Sequence, residues 1–396
     1  MKKKIKKIIK TVIPSKKRQV LMRQINFILS GCKKIQSNVP LFIIENKYHT
    51  SCGYYDLNPV HNNKILYIES DKKYETTHIK LLDLVDGNTA EIGEGQVVNW
   101  QQGNRFRWIE DNRFIFNSFD NEKYVSIEHR NNVIKIHPYP IYDVNEDIGI
   151  SLDFNRLGYL RPGYGYTKFP YSDISDTDNA ISIYDINTDK KILSISYSEI
   201  IKVLHNADIE INNIQDCYIN HISISPKKDK FLFFFIEKRS KCHICYLMVW
   251  NKNKIIILDK ELSASHYTWK DNNIIMATMY DSKRNCRYFF YNTETLEKNI
   301  VMEDLLVKDG HPTFVSENLF VTDTYPDKAG FQKILLVDTQ KKEVKTVLSI
   351  YSSSKHMGVE RCDLHPRYDF ENNSVYFDAD IDGRRRIYGF NLGDVK

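Results

Sequence analysis

Cysteine is scarce in this 396-residue chain, which has seven, an odd number without regular spacing. A disulfide framework of the kind that stabilises small secreted domains is therefore not expected, and we predict a reducing compartment. Cys242 and Cys245 lie three positions apart, but no second ligand pair at zinc-finger spacing follows them. We interpret this pair as part of a strand.

Long apolar runs are also missing. No stretch reaches the roughly 18 apolar residues that a membrane-spanning helix needs, and lysines interrupt the apolar positions near the start, so we expect no secretion signal. GxSxG, P-loop and HExxH patterns are absent, which removes the common signatures of serine hydrolases, phosphate-binding loops and zinc proteases. Proline (11) and glycine (16) are modest, whereas tyrosine (25) and phenylalanine (20) are abundant. This composition favours strands.

Acidic residues are absent from the first 36 positions, which hold 12 of the 56 lysines and arginines. The rest of the chain has 44 basic and 51 acidic residues, and this mildly acidic balance argues against a nucleic-acid-binding face. We expect no nucleic-acid partner. The basic segment places apolar residues at helical spacing on both sides of Pro14, namely Ile5, Ile8, Ile9, Val12 and Ile13, then Val20, Leu21, Ile25, Ile28 and Leu29. It predicts a helix on an anionic membrane surface at the cytoplasmic face or, alternatively, a basic tail or a helix docked on the rest of the chain.

Four histidines recur at near-regular intervals: His221, His266, His311 and His365 are separated by 45, 45 and 54 residues. Each precedes a short apolar run, a polar break and an aromatic strand-like run. Units of this length repeat in β-propellers, with four strands per blade around an axis. Seven units are predicted, at about 50–92, 97–137, 139–195 and 218–258, and from near 263, 308 and 361. We therefore predict an all-β seven-bladed β-propeller over 38–396 and a basic amphipathic helical extension over 1–37, with the isolated strand 41–46 a candidate to close the last blade.

The repeated histidines predict a shared site. If each opens the innermost strand of its blade, all four imidazoles point into the central channel. Converging neutral imidazoles with carboxylate neighbours bind Mn, Zn or Fe, so a divalent metal on His266, His311 and His365 is one interpretation. The other is four structural histidines, each hydrogen-bonded to backbone. The remaining histidines lack the pattern and are predicted to be surface or structural residues: His49, His61, His78, His129, His137, His205, His243 and His356.

The segment RPGYGYTKFPY (161–171) combines an arginine, two glycines and four aromatic residues. Exposed aromatic rings beside Arg161 suit sugar rings with an attached carboxylate, by stacking and by a two-pronged ion pair. The same tyrosines are equally consistent with the packed core of a loop between blades.

Several segments together resemble the oligogalacturonate-lyase type of seven-bladed propeller. They are NWQQGNRFRW, LRPGYGY, NHISISP, SHYTW, DGHPTF with VTDTYPD, and CDLHPR with GRRRIY. The set is more closely similar to uncharacterised propellers found alongside glycosyltransferases in bacterial surface-polysaccharide clusters. The resemblance implies metal-dependent β-elimination on acidic oligosaccharides, with manganese held by histidines of neighbouring blades. In the family two of these histidines are separated by one residue and follow a glutamine, whereas here Arg367 stands at the position of the second one and no glutamine precedes His365.

The implied reaction needs the carboxylate charge of a uronate neutralised and a base of near-neutral pKa. The predicted catalytic residues are His221, His266, Arg161 and Arg367. The predicted substrate-binding residues are Gln101, Gln102, Arg107, Arg156, Tyr164, Tyr166, Asp323, Tyr325, Arg361 and Asp363. The alternative function is a non-catalytic propeller that binds a glycan or a partner protein at the cytoplasmic membrane face during polysaccharide assembly.

Overall fold

The computed structural model describes residues 15–30, 33–44, 48–70, 76–131, 133–171, 178–240 and 242–396. Its strands form seven antiparallel sheets, and within each sheet strands adjacent in sequence are mostly paired. Such up-and-down sheets around an axis are the blades of a β-propeller. The predicted fold class, a seven-bladed β-propeller, is confirmed.

The strands of the first four blades follow one another in chain order. Blade one contains His49–Ser51, Val60–His61, Lys64–Ser70, Thr77–Asp83 and Thr89–Gly95. Blade two contains Arg107–Glu110, Arg113–Asp120, Lys123–Arg130 and Val133–His137. Blade three contains Asp143–Asn145, Ile148–Leu152, Asn179–Asp185 and Lys190–Ser196, and blade four contains Cys217–Ile224, Lys230–Lys238, His243–Asn251 and Lys254–Ile257.

The last two blades each gain a strand from near the start of the chain. Blade five contains Ser263–Trp269, Ile274–Tyr280, Cys286–Asn292 and Lys298–Val301. Blade six contains Thr313–Phe314, Leu319–Asp323, Phe331–Asp338 and Glu343–Tyr351, with Ile35–Ser37 paired to the last of these. Blade seven contains Arg367–Asp369, Ser374–Ala379 and Arg386–Asn391, with Phe42–Ile44 as its fourth strand. Pairing of the two chain ends in one sheet ties the ring together and covers an open sheet edge.

The helix Ser15–Ser30 docks on blade six. The Phe27 ring lies 4.5 Å from that of Tyr351 and 5.8 Å from that of Phe331, between ring centroids. Arg23 donates to the carbonyl of Gly330 at 3.3 Å. This part of the basic segment is thus a helix docked on the propeller, while positions 1–14 lie outside the described residues. No helix among the described residues is long and apolar enough to cross a bilayer.

Two further helices lie within the propeller. Tyr197–His205 contains the whole segment SEIIKVLH that joins blades three and four, and Ser196 caps it in a reciprocal capping box with Glu199. Phe154–Leu160, capped by Asp153, follows the second strand of blade three. The described residues also contain the single-turn 3₁₀ helices Ile214–Asp216, Gly358–Glu360 and Leu392–Asp394.

Candidate functional site

The structure brings the four repeated histidines together on the propeller axis. Their ring centroids are 6.4 Å apart from His221 to His266, 4.0 Å from His266 to His311 and 4.4 Å from His311 to His365. All four residues are buried, and His221 is the most exposed at 6%. Blades four to seven therefore each contribute one imidazole to what we call the imidazole cluster.

Local backbone irregularities accompany these side chains. The pairing of the first two strands of blade four shifts between Asn220 and Ser223, and His221 within this bulge has a φ of +55°. His365, just before the first strand of blade seven, has a φ of +48°. Non-glycine residues rarely adopt positive φ, and such strain collects at functional sites. A bulge re-aims the side chain it carries, which is how a strand residue comes to point along the axis.

Two buried carboxylates orient the middle pair of imidazoles. Asp309 accepts from Nδ1 of His266 at 2.9 Å, and Asp323 accepts from Nδ1 of His311 at 2.8 Å. Since a carboxylate only accepts, each Nδ1 carries the proton and each Nε2 presents a lone pair. Asp323 also accepts from the backbone amides of His311 and His365 at 2.8 and 3.0 Å, so it fixes two blades relative to each other. Gly310 permits this approach, because a Cβ there would lie 2.0 Å from the backbone oxygen of Asp323.

Burial lowers the pKa values of the imidazoles in the cluster, whereas the neighbouring carboxylates raise them. Burial lowers the pKa of His221 and His365 well below 6.5 and also lowers the pKa of His266, so these three rings favour the neutral form. Burial also opposes protonation of His311 and is the largest single effect on it, but the charge and hydrogen bond of Asp323, together with the charges of Asp363 and Asp309, outweigh it and raise the pKa of His311. His221, His266 and His365 therefore offer neutral imidazoles for accepting a proton or binding a cation.

His311, Asp363 and His365 form a candidate metal-binding group. Their potential ligand atoms all lie within 4.8 Å of one another, and all three residues are buried. Neither ring nitrogen of His365 has a hydrogen-bond partner within the described protein. The third potential ligand of this group is Asp363, two positions before His365. The family pattern instead has a second histidine two positions after it, where this chain has Arg367.

A cavity of about 530 Å³ opens beside the imidazole cluster. Arg161 and Arg284 line it, each with its guanidinium over a lining tyrosine, Tyr164 at 5.0 Å and Tyr280 at 4.6 Å. Among the described residues, neither arginine has a carboxylate partner within ion-pair distance and no aspartate or glutamate lines the cavity. The remaining lining residues include Tyr218, Asn220, His221, His243, Cys242, Cys245, His266 and Tyr325. The cavity is thus cationic and rich in hydroxyl and aromatic groups, which suits an acidic sugar.

The structure separates the predicted site residues into two groups. Arg161, Tyr164, Tyr325 and the histidines His221 and His266 line the cavity. The others predicted to bind substrate or to act in catalysis do not line it. Of these, Asp323, Asp363 and Arg361 lie beside the imidazole cluster, and the rest lie in structural contacts, as follows. Gln101 donates to the carbonyls of Val359 and Arg361, Gln102 donates to Tyr142, Arg107 pairs with Asp143, and Tyr166 stacks on Phe154.

Arg156 and Arg367 are buried arginines with internal partners. Arg156, on the short helix of blade three, donates to the carbonyls of Cys217, Ile214 and Gln215 at 2.6 to 2.9 Å. Arg367 donates to the carbonyls of Gly53 and Tyr54 and lies 3.3 Å from Asp378. Because each guanidinium already satisfies backbone carbonyls, these contacts support roles in joining blades rather than the substrate-binding and catalytic roles that the sequence suggested.

Sequence reasoning missed several residues of the site. Tyr54 packs against three of the imidazoles, with its ring 4.7 Å from His365 and 5.3 Å from His221 between centroids. His243, predicted to be surface or structural, lines the cavity, pairs with the Tyr218 hydroxyl at 2.7 Å and has its pKa lowered to about 4 by burial. Arg284 lies in a hairpin turn without any motif. Of these residues, only Tyr54 could have been found from the sequence, because GYYDLNP lies at the start of the predicted blade one.

We compared the chain with known protein families, curated proteins and solved structures, and only the solved structures gave matches. No protein-family model matches the chain, and no curated protein matches it. Among solved structures, an oligogalacturonate lyase from Vibrio parahaemolyticus aligns over 90% of this chain and 98% of its own, with a TM-score of 0.61 and 14% identity. An oligogalacturonate lyase in complex with manganese aligns over 91% and 94%, with a TM-score of 0.61 and 13% identity.

The chain has the fold of oligogalacturonate lyase. The resemblance inferred from the sequence segments is thereby confirmed at the level of fold, over nearly the whole of both chains. The oligogalacturonate-lyase fold is a propeller shared more widely: the β-propeller domain of a trilobed protease from Pyrococcus furiosus aligns with a TM-score of 0.50 and 11% identity, over 84% of this chain and 93% of its own.

Proposed function

We propose that the axial cavity binds an acidic oligosaccharide and that the chain cleaves it by β-elimination with the help of a divalent cation. The observation that carries this proposal is the state of His365. Its imidazole is fully buried, neither nitrogen has a hydrogen-bond partner among the described residues, and its potential ligand atom lies within 4.8 Å of those of His311 and Asp363. Buried polar groups are nearly always satisfied, so an unsatisfied ring facing two further ligands indicates a missing partner.

The residues fit a divalent metal such as manganese. Two imidazoles and a carboxylate suit Mn, Fe or Zn, and Asp323 behind His311 is the outer partner that metal-bound histidines commonly have. His266, whose ring lies 4.0 Å from that of His311, offers a fourth donor. One protein with this fold is an oligogalacturonate lyase in complex with manganese. A bound cation would neutralise the carboxylate of a uronate and so acidify the adjacent carbon–hydrogen bond.

The chain's own residues supply the rest of the chemistry. His221 lines the cavity, is neutral and has no hydrogen-bond partner for Nδ1 among the described residues. It can accept the proton from the carbon next to the carboxylate once the negative charge of a bound uronate raises its pKa towards neutral. The electron pair of that bond forms a carbon–carbon double bond, and the glycosidic carbon–oxygen bond breaks. The leaving oxygen takes a proton from solvent. Arg161, over the ring of Tyr164, binds the acidic group of the sugar.

Elimination is tested by incubating the purified protein with oligogalacturonate and Mn²⁺ and following the ultraviolet absorbance of the unsaturated product. We expect product from the wild type, none after chelation, and a loss of about 10²- to 10⁴-fold in kcat for His221→Asn, the scale of a lost general base. Asparagine tolerates the positive φ of this position. Arg161→Gln should mainly raise KM. Tight Mn²⁺ binding without product from any acidic oligosaccharide would reject catalysis.

A second candidate is the non-catalytic propeller that binds a glycan or a partner protein at the cytoplasmic membrane face during surface-polysaccharide assembly. The observation that favours it is the ion pair of Arg361 with both oxygens of Asp363, at 2.5 and 2.8 Å, which engages one of the three candidate metal ligands. In this case the cavity binds an acidic glycan through its arginines and tyrosines without cleaving it. The membrane contact would involve the basic residues of positions 1–36.

A further inference from the structure

Arg361 engages the only carboxylate of the candidate metal group formed by His311, Asp363 and His365. Its Nε donates to Oδ1 of Asp363 at 2.5 Å, and its Nη2 donates to Oδ2 at 2.8 Å. Asp363 is 2% exposed, so this fork is formed in a nearly dry environment, where charge–charge interactions are strong. A cation entering between the two imidazoles would therefore meet a carboxylate whose charge the protein already neutralises.

Neighbouring residues fix the backbone of Arg361 but leave room for a second orientation of its side chain. The Arg361 carbonyl accepts from the Trp100 indole and from the Gln101 amide, both at 3.0 Å, so the main chain is anchored to blade two. The guanidinium lies 4.2 Å from the ring centroid of Tyr325, and 31% of the side chain is exposed. Tyr325 lines the axial cavity. A rotation about the side-chain bonds of Arg361 would thus move its guanidinium away from Asp363, past Tyr325 and into the axial cavity.

We propose that Arg361 and a divalent cation exchange places at Asp363. When the cation binds Asp363 together with His311 and His365, repulsion between two positive charges turns Arg361 out towards the cavity. There it joins Arg161 and Arg284, so that an acidic sugar meets three arginines instead of two. The exchange rests on the proposed function, because it assumes a cation at this group. By thermodynamic linkage, cation binding and acidic-ligand binding then favour each other.

The exchange is tested by isothermal titration calorimetry of Mn²⁺ into the full chain, purified without a histidine tag. We expect Arg361→Gln to bind Mn²⁺ about tenfold more tightly than the wild type or better, because a competing charge has been removed. Arg361→Lys keeps the charge but loses the fork, so we expect a smaller gain. The matched control is Arg386→Gln, which removes another two-pronged arginine–aspartate pair of blade seven, to Asp382 at 2.9 and 3.2 Å.

The outcomes separate the exchange from the metal site itself. Tighter binding in Arg361→Gln only, abolished by adding His365→Asn, supports the exchange. Equal or weaker binding in Arg361→Gln, with His365→Asn still abolishing it, overturns the exchange and leaves the metal site standing. Equal gains in Arg361→Gln and Arg386→Gln also overturn it, since net charge alone would explain them. No Mn²⁺ binding by any variant removes both the exchange and the metal-dependent function.

Discussion

His365→Asn is expected to weaken Mn²⁺ binding by more than about a hundredfold, because loss of a direct ligand exceeds the ten- to hundredfold effect of losing an outer partner. The same change should leave the free energy of unfolding of the metal-free protein nearly unchanged. Neither nitrogen of His365 has a hydrogen bond to lose in the described structure, and asparagine accepts its φ of +48°. Calorimetry with Mn²⁺ and urea unfolding of the metal-free protein measure the two effects separately.

The control for this prediction is His205→Asn, at a half-exposed histidine in the last turn of the helix Tyr197–His205. It should change neither Mn²⁺ binding nor stability appreciably. A His365→Asn variant that unfolds readily in the absence of metal would show that the imidazole is a structural residue. A variant that binds Mn²⁺ as tightly as the wild type would place the cation elsewhere.

Arg367→Met is expected to destabilise the fold by about 3–5 kcal/mol, the scale for breaking a buried ion pair on one side. The side chain is 1% exposed and faces Asp378, which is itself fully buried. Its removal leaves the carbonyls of Gly53 and Tyr54 without this donor and leaves Asp378 with Arg385 as its remaining arginine partner. Blade one thereby loses one of its connections to blade seven, while the hydrogen bonds of Ser51 and Cys52 to Asp378 remain. Urea unfolding of the metal-free protein measures the loss.

A surface ion pair provides the comparison for Arg367. Arg130→Met removes an arginine partner of Glu110, and because these side chains are 52% and 51% exposed the change should cost no more than about 1 kcal/mol. A stable Arg367→Met variant with strongly reduced elimination activity would support the catalytic role inferred from the sequence and would contradict the structural role described above.

The architecture could be predicted from the sequence because each blade contains strands that are buried on both faces, and these appear as repeated apolar runs. Apolar strands such as Lys230–Lys238 are buried on both faces, since each blade packs between two others, and this leaves a clear apolar run in every unit. The repeated histidines could be recognised for the same reason: one position per blade faces the axis. The short helix Phe154–Leu160 was missed because its seven residues contain a glycine and only a short amphipathic pattern.

The finer arrangement of the site depends on contacts that spacing does not encode. Whether Arg161 and Arg367 face a ligand or a backbone carbonyl is decided by neighbouring blades more than a hundred residues away in sequence, as with Arg367 and Tyr54. Asp323 was predicted to bind substrate, yet it and Asp309 are both buried hydrogen-bond partners of imidazoles. Sequence position showed that they were near the histidines but not on which side of them.

The most direct test of a cation site on the propeller axis is anomalous diffraction at the manganese edge, from crystals of the tag-free full chain soaked with Mn²⁺. A single strong peak bounded by His311, His365 and Asp363, with the Arg361 guanidinium turned away from the carboxylate, is the predicted result. Peaks confined to surface carboxylates, with the four imidazoles and the Arg361–Asp363 ion pair unchanged, would contradict the account.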